Sequence, residues 1–103
     1  METENKLFRD FFLGFIKIHI LHHAAKEKIY AQEFQNERVR HGYKISFGTL
    51  YPIFHKLHNE KYLKIQNENV NGKIRKYYSI TAKGLNTLET AKQKCKELFN
   101  EIY

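Results

Sequence analysis

Gly48-Thr49-Leu50-Tyr51-Pro52 is the most informative block of the sequence, and it lies within a predicted helix from Ser46 to about residue 59. Ser46 has the short, oxygen-bearing side chain that caps helix N-termini. At about 100° per residue, an apolar stripe and a nearly uncharged stripe fall on opposite sides of this helix. The apolar stripe contains Leu50, Ile53, Phe54 and Leu57, and the other contains Gly48, Tyr51, Pro52, His55 and Asn59.

The uncharged stripe predicts a contact surface, because a solvated helix face normally carries Lys and Glu. Tyr51 and His55 can donate hydrogen bonds to phosphates or bases. Lys44 and Ser46 lie at the amino end, where free amides and the helix dipole attract phosphate. The pattern alone fits a second interpretation equally well, in which Tyr51 is a partly buried core aromatic.

Pro52 leaves two possible starts for this helix. If Ser46 is the cap, proline falls in the second turn and removes one backbone hydrogen bond. If Thr49 is the cap, proline falls in the first turn, where its missing N–H costs little. The residues alone favour the later start.

The next segment predicts a β-hairpin. Residues 63–66 and 73–80 alternate between two sets of side chains, as strands do, and Asn71-Gly72 lies between them. This dipeptide favours a type I′ turn, which needs positive φ at both positions. Lys73 and Arg75 then share one face beside the tip, where long cations suit phosphates or a narrow minor groove. Alternatively, these charges only discourage pairing with other strands.

The positive charge of the chain is concentrated around these two motifs. Residues 38–77 hold nine basic and two acidic side chains, a net charge of +7 that equals the formal net charge of all 103 residues. A basic segment of this kind favours a polyanion as partner, nucleic acid first and an acidic membrane second. A merely solvated basic face is the alternative.

Three further helices surround the motifs. Residues 6–25 are apolar on two sides and need cover on both, which predicts a second subunit. Residues 29–41 form a weaker helix, closed by Gly42. Thr81 caps a last helix from residue 82 to about 102, in which Leu88, Cys95 and Ile102 are spaced seven apart.

The element order predicts a mostly α fold with a small β-hairpin, a winged helix-turn-helix with an additional C-terminal dimerisation helix. We expect residues 1–80 to form the winged-helix domain, including the N-terminal helix. Residues 81–103 then form the dimerisation helix, and both belong to one compact unit.

Several functional classes are disfavoured. Cys95 is the only cysteine, so one chain can form neither a disulfide nor a Cys-based zinc site. A cytoplasmic location is expected, because no apolar stretch is long enough to span a bilayer and the first residues are polar and acidic. His19, His22 and His23 have a spacing that could bind metal, but such histidines more often only pack. No catalytic constellation is present, so we do not expect an enzyme, and no cofactor is predicted.

The Gly48–Pro52 block and the block Arg75-Lys76-Tyr77-Tyr78-Ser79-Ile80-Thr81 resemble the PadR family of winged-helix transcriptional regulators, in its compact subgroup. The resemblance implies a homodimer, usually a repressor, that binds double-stranded DNA at an inverted-repeat operator. It also favours the earlier helix start at Ser46. Together with the patterns above, the predicted DNA-binding residues are Lys44, Ser46, Phe47, Thr49, Tyr51, His55, Lys73 and Arg75. The predicted dimer interface contains Phe11, Phe15, Ile18, Leu88, Cys95, Leu98 and Ile102.

Other functions stay open at this point. A winged-helix adaptor for protein–protein contacts is the main alternative, although the concentrated charge disfavours it. RNA binding is a third, but most aromatic residues lie on apolar helix stripes and not on an exposed sheet. The chain has no tryptophan, so the aromatic sandwich of drug-binding relatives is absent. A small-molecule inducer, if one exists, has no predicted identity.

Overall fold

The computed structural model describes residues 5–40 and 45–103, except for the side chains of residues 39 and 40. In chain order its elements are α1 (Lys6–Lys26), α2 (Ala31–Arg40), α3 (Phe47–Asn59), β1 (Leu63–Val70), β2 (Lys73–Ile80) and α4 (Ala82–Ile102). The two strands form one antiparallel sheet. The predicted order of three helices, a hairpin and a final helix is confirmed.

Side-chain caps fix where the helices begin. Ser46 Oγ accepts a hydrogen bond from the Thr49 amide at 3.1 Å, so α3 has the earlier start and Pro52 lies inside it. Thr81 Oγ1 accepts from the Gly84 amide at 3.0 Å at the start of α4. Helix α2 begins at Ala31, two residues later than predicted, because Ile29 pairs with the hairpin instead. Its predicted end at Gly42 lies outside the described residues.

The Ile29 pairing attaches the hairpin to the helices. The Ile29 amide donates to the Tyr78 carbonyl at 2.9 Å, and the Tyr78 amide donates back to Ile29 at 2.7 Å. The Tyr78 ring is buried against Phe54 of α3, with ring centroids 4.9 Å apart. At the other end of the hairpin, Asn71 has φ 54° and Gly72 has φ 84°, which confirms the turn with two positive φ values.

Helix α1 is covered by its own chain on only part of its surface. Its buried residues are Ile16, Ile20, Leu21 and Ala24, three of which recur at intervals of four and were not singled out by the sequence pattern. Phe8 and Phe11 in the amino-terminal half are 59% and 61% exposed. As expected, α1 has an apolar side that its own chain leaves uncovered. The side that packs into the core, however, is not one of the two sides that the sequence pattern indicates.

Two histidines of α1, His19 and His23, pack against the side chains of α2. His23 Nε2 lies 3.2 Å from Arg38 Nη1, and the Arg38 guanidinium lies over the Phe34 ring at 4.8 Å. His19 stacks edge-on against Phe34, with centroids 6.4 Å apart. Within residues 5–40 and 45–103 there is no group of three His, Cys, Asp or Glu side chains placed to hold a metal ion. Across the same ranges, no helix is long and apolar enough to cross a bilayer.

Gly84 tests the packing of α4 on the hairpin. A Cβ at Gly84 would overlap the Tyr62 carbonyl oxygen and lie 2.7 Å from Ile80 Cγ1. Alanine in place of a helical glycine normally stabilises by about 0.5–1 kcal/mol. Here the backbone cannot yield, so Gly84→Ala should lower the free energy of unfolding by about 1–3 kcal/mol. Gly48→Ala is the control, because the atom nearest to its added Cβ lies 3.8 Å away, and denaturant melts should show little loss of stability. Equal stability of the two variants would contradict the close packing at Gly84.

The histidine cluster predicts a pH dependence of stability. Burial, and secondly the nearby Arg38 charge, lower the pKa of His23 from its ordinary 6.5 to about 4. The unfolded chain then binds a proton at a pH where the folded chain does not, so stability is lost as pH falls.

We therefore expect the melting temperature to fall between about pH 6.5 and pH 5, above the range in which ordinary carboxylates titrate. The decline should be smaller in His23→Gln than in the wild type, whereas the matched variant His58→Gln should keep it. An identical pH profile in His23→Gln would show that His23 does not carry the effect.

Candidate nucleic-acid interface

A cleft of ≈ 800 Å³ lies between the start of α2, the outer face of α3 and the tip of the hairpin. We call it the basic cleft, because three cations of β2 line it together with aromatic residues of the helices. Its lining includes Tyr30, Phe47, Tyr51, Lys73, Ile74, Arg75, Lys76 and Tyr78. Four predicted DNA-binding residues, from two separate motifs, therefore meet in one surface feature.

The other predicted residues lie near the basic cleft or outside the description. Ser46 and Thr49 lie at the amino end of α3. His55 lines a separate shallow depression of ≈ 530 Å³ with Tyr51 and Asn59, and its Nδ1 lies 3.4 Å from Asn59 Nδ2. Lys44 lies outside the described residues.

The start of α3 has its own hydrogen-bond order. Ser46 Oγ donates to Thr49 Oγ1 at 3.0 Å while accepting from the Thr49 amide. A hydroxyl has one hydrogen to donate, so Ser46 uses it within the cap and Thr49 keeps its own for another acceptor. The first amides of the helix add a partial positive charge at this point. Thr49 is thus better placed than Ser46 to donate to a phosphate.

Tyr51 forms a wall of the basic cleft. It is 39% exposed and Phe47 is 38% exposed, with their ring centroids 5.3 Å apart. Burial, and secondly an electrostatic interaction with Tyr51, raise the pKa of Tyr78, and both tyrosines line the basic cleft. Tyr51 therefore fits both interpretations, the partly buried aromatic and the contact residue, because part of its side chain packs against the protein and part faces solvent.

The two wing cations have different surroundings. Lys73 is exposed next to the turn. Arg75 is half-buried, with Cζ 4.1 Å from the centroid of the Tyr30 ring and Nη1 3.4 Å from the Tyr77 hydroxyl that it donates to. This hydrogen bond is the main cause that raises the pKa of Arg75. Lys73 is therefore the more accessible charge for a polyanion.

Two residues of the basic cleft were missed by the sequence pattern. Tyr30 falls within the helix predicted over residues 29–41, but it precedes α2 and contacts Arg75 of the hairpin. Ile74 alternates with the inward-facing set, yet it is 67% exposed because the hairpin extends beyond the helices there. The periodicity of hydrophobic residues identifies neither as part of the cleft, because their placement there results from contacts between segments that are distant in sequence.

The predicted dimer residues lie on a different part of the molecule. A groove of ≈ 820 Å³ between α1 and α4, the apolar groove, is lined by Phe11, Phe15, Ile18, Leu88 and Cys95 among others. Leu98 and Ile102 lie further along α4 and are 52% and 61% exposed. Leu88 differs from the prediction: it is only 4% exposed and belongs to the monomer's core, because α4 turns this side onto α1. It offers almost no surface to a second subunit.

Comparisons with known proteins agree with this architecture. The sequence model of the Transcriptional regulator PadR-like family matches residues 20–90. Transcriptional regulator Rv3488 of Mycobacterium tuberculosis is 35% identical over 94 residues, which cover 91% of this chain and 88% of that protein.

Two solved structures show the same fold over most of their length. A PadR-like transcription factor from Bacteroides fragilis has a TM-score of 0.82 at 26% identity and covers 95% of this chain and 96% of that one. A PadR-like transcriptional regulator from Bacillus cereus has a TM-score of 0.78 at 31% identity, covering 86% and 88%. The resemblance inferred from the Gly48–Pro52 and Arg75–Thr81 blocks is confirmed, and the chain belongs to the PadR-like family of winged-helix transcriptional regulators.

Proposed function

We propose that this chain acts as a homodimeric repressor that binds an inverted-repeat operator in double-stranded DNA. The observation that carries the proposal is the basic cleft, where the uncharged face of α3 meets the cations of the hairpin. Both elements belong to the segment that holds the chain's entire net positive charge. A protein adaptor would not need charge concentrated in this way.

In this proposal α3 is the recognition helix and the hairpin is the wing. Thr49, Tyr51 and His55 face the duplex from α3, with Phe47 beside Tyr51 and Ser46 holding the amino-terminal turn. Lys73 at the wing tip neutralises phosphates, which releases counterions and provides affinity for any sequence. Base preference then comes from the side chains of α3, because phosphate contacts carry no sequence information.

The dimer is proposed to form through α1 and α4. Phe11 is 61% exposed, Phe15 38% and Leu98 52%, and they surround the apolar groove or extend from it along α4. Monomeric proteins rarely leave a contiguous apolar surface of this kind uncovered. A two-fold dimer would present two recognition helices to half-sites about one helical turn apart, and occupancy of that site would block transcription. A small-molecule inducer stays a prediction without assigned residues.

The DNA assignment is tested with a duplex selected by the wild-type protein from random sequences. Lys73→Ala should weaken binding to all duplexes and reduce the slope of log K against log salt by about 0.9, one phosphate contact. Lys94→Ala removes the same charge from exposed α4 and serves as the control. Tyr51→Phe should cost about 1 kcal/mol, the usual size of one hydrogen bond, on the selected duplex.

Two results would contradict the assignment. One is an unchanged salt slope in Lys73→Ala, which would remove the wing tip from the phosphate contacts. The other is a Tyr51→Phe variant with unchanged affinity, which would make Tyr51 a packing residue and leave recognition to Thr49 and His55.

The dimer assignment is tested by sedimentation with two matched charge insertions. Phe11→Glu places a carboxylate on the apolar surface of α1 and should give monomer at about 10 µM, because an unpaired charge in an apolar interface is strongly unfavourable. Ile74→Glu alters a similarly exposed residue of the wing and should stay dimeric. If Phe11→Glu sediments as the wild type does, the subunits do not meet through this face of α1.

A further inference from the structure

A cluster of charged and aromatic side chains joins the wing to the connection between α1 and α2. Lys28 pairs with Glu68 and lies over the Tyr77 ring, with Nζ 4.7 Å from the ring centroid. On the same side, Arg75 lies over the Tyr30 ring at 4.1 Å and donates to the Tyr77 hydroxyl at 3.4 Å. The two tyrosine rings meet edge to face, 5.4 Å apart. We call these five residues the clasp: Lys28, Tyr30, Glu68, Arg75 and Tyr77.

The clasp acts on the half of the hairpin that the core does not reach. The buried anchor Tyr78 pairs with Ile65 near the base of the hairpin, whereas Arg75 pairs with Glu68 closer to the turn. Beyond Tyr78, the two strands continue as a ladder to the turn, and an isolated two-stranded hairpin is only marginally stable in water. The clasp adds side-chain contacts from outside the hairpin at the level of Glu68, which restrains the tilt of the tip.

The charges of the clasp also explain an acidic side chain in a basic wing. Glu68 is the one carboxylate among residues 63–80, and unpaired it would repel a phosphate backbone. Lys28 pairs with it from the helical side, and Gln66 Nε2 donates to the same Oε2 at 2.8 Å. Glu68 is thus paired with Lys28 and with Gln66 of its own strand, which partly neutralises the one acidic charge of the wing.

We propose that the clasp fixes the orientation of the wing relative to α3, so that Lys73 and the recognition helix engage one duplex together. Arg75 is then a positioning residue, which acts on DNA through the wing, and Lys73 is the phosphate contact. The inference rests on the proposed DNA-binding function and narrows the role of Arg75 within it. If the clasp were lost, only part of the population would have a binding-competent wing, and apparent affinity would fall by that fraction.

The test uses Tyr30→Leu, which removes a ring without changing charge. Affinity for the selected duplex should fall roughly two- to five-fold, the size of one partly exposed cation–π contact, with an unchanged salt slope. Amide residual dipolar couplings of residues 68–75 in the free protein should report a wing whose orientation to α3 is altered or averaged. Tyr62→Leu is the matched control, since Lys83 lies over the Tyr62 ring at 4.4 Å at the base of the hairpin. Its couplings should keep the wild-type pattern near the tip.

The outcomes separate this inference from the proposed function. Wild-type protein without salt-dependent duplex binding would overturn the function itself. Normal wild-type binding, together with wild-type affinity and couplings in Tyr30→Leu, would overturn the clasp alone. Weaker binding with unchanged couplings would also overturn it, because Tyr30 would then contact DNA directly. Tyr77→Leu removes the other ring and should reproduce the Tyr30→Leu result, which guards against a folding defect in one variant.

Discussion

Tyr78 joins the hairpin to the helices through its backbone and through its ring. The backbone exchanges two hydrogen bonds with Ile29, and the ring is buried against Phe54. This double attachment fixes the base of the hairpin to the helical core beside α3. Because Phe54 lies on the buried stripe of α3, the residue that attaches the hairpin to the core also contacts α3. The basic cleft lies between α3 and the hairpin, and Tyr78 forms part of its lining.

The molecule separates two surfaces that a regulator of this family would use. The cations and the uncharged face of α3 surround the basic cleft, whereas the exposed phenylalanines of α1 lie around the apolar groove with α4. Helix α3 lies between them, since Tyr51 lines the first and Leu57 lines the second. If the proposed dimer forms on α1 and α4, its packing is separated from the basic cleft only by the width of α3.

Local chemistry made much of the fold predictable. Ser46 and Thr81 have the side chains that cap helices, and Asn71-Gly72 has the freedom in φ that a tight hairpin needs, so these boundaries followed from single residues. The buried face of α1 did not follow, because the helix is apolar on several sides and period alone cannot rank them. Leu88 was likewise assigned to a dimer, although its own chain already covers it.

The parts of the candidate site that lie within one helix or strand could be predicted from the sequence. The parts that depend on contacts between distant segments could not. The faces of α3 and the placement of Lys73 follow from helical and strand periods. The partner of Arg75 is Tyr30, in another element far away in sequence, and no periodic pattern pairs them. The sequence therefore treats Lys73 and Arg75 alike, and only the folded chain separates a half-buried Arg75 held against Tyr30 from an exposed Lys73.

In the proposed function, α3 and the wing together form the surface that binds DNA. The most direct measurement is backbone amide NMR of the full chain during titration with its selected duplex at fixed salt. We expect the largest shift changes at residues 46–55 and 71–75, appearing together at the same duplex concentration, with little change along the outer face of α4. Changes confined to α1 and α4, or to the wing without α3, would contradict it.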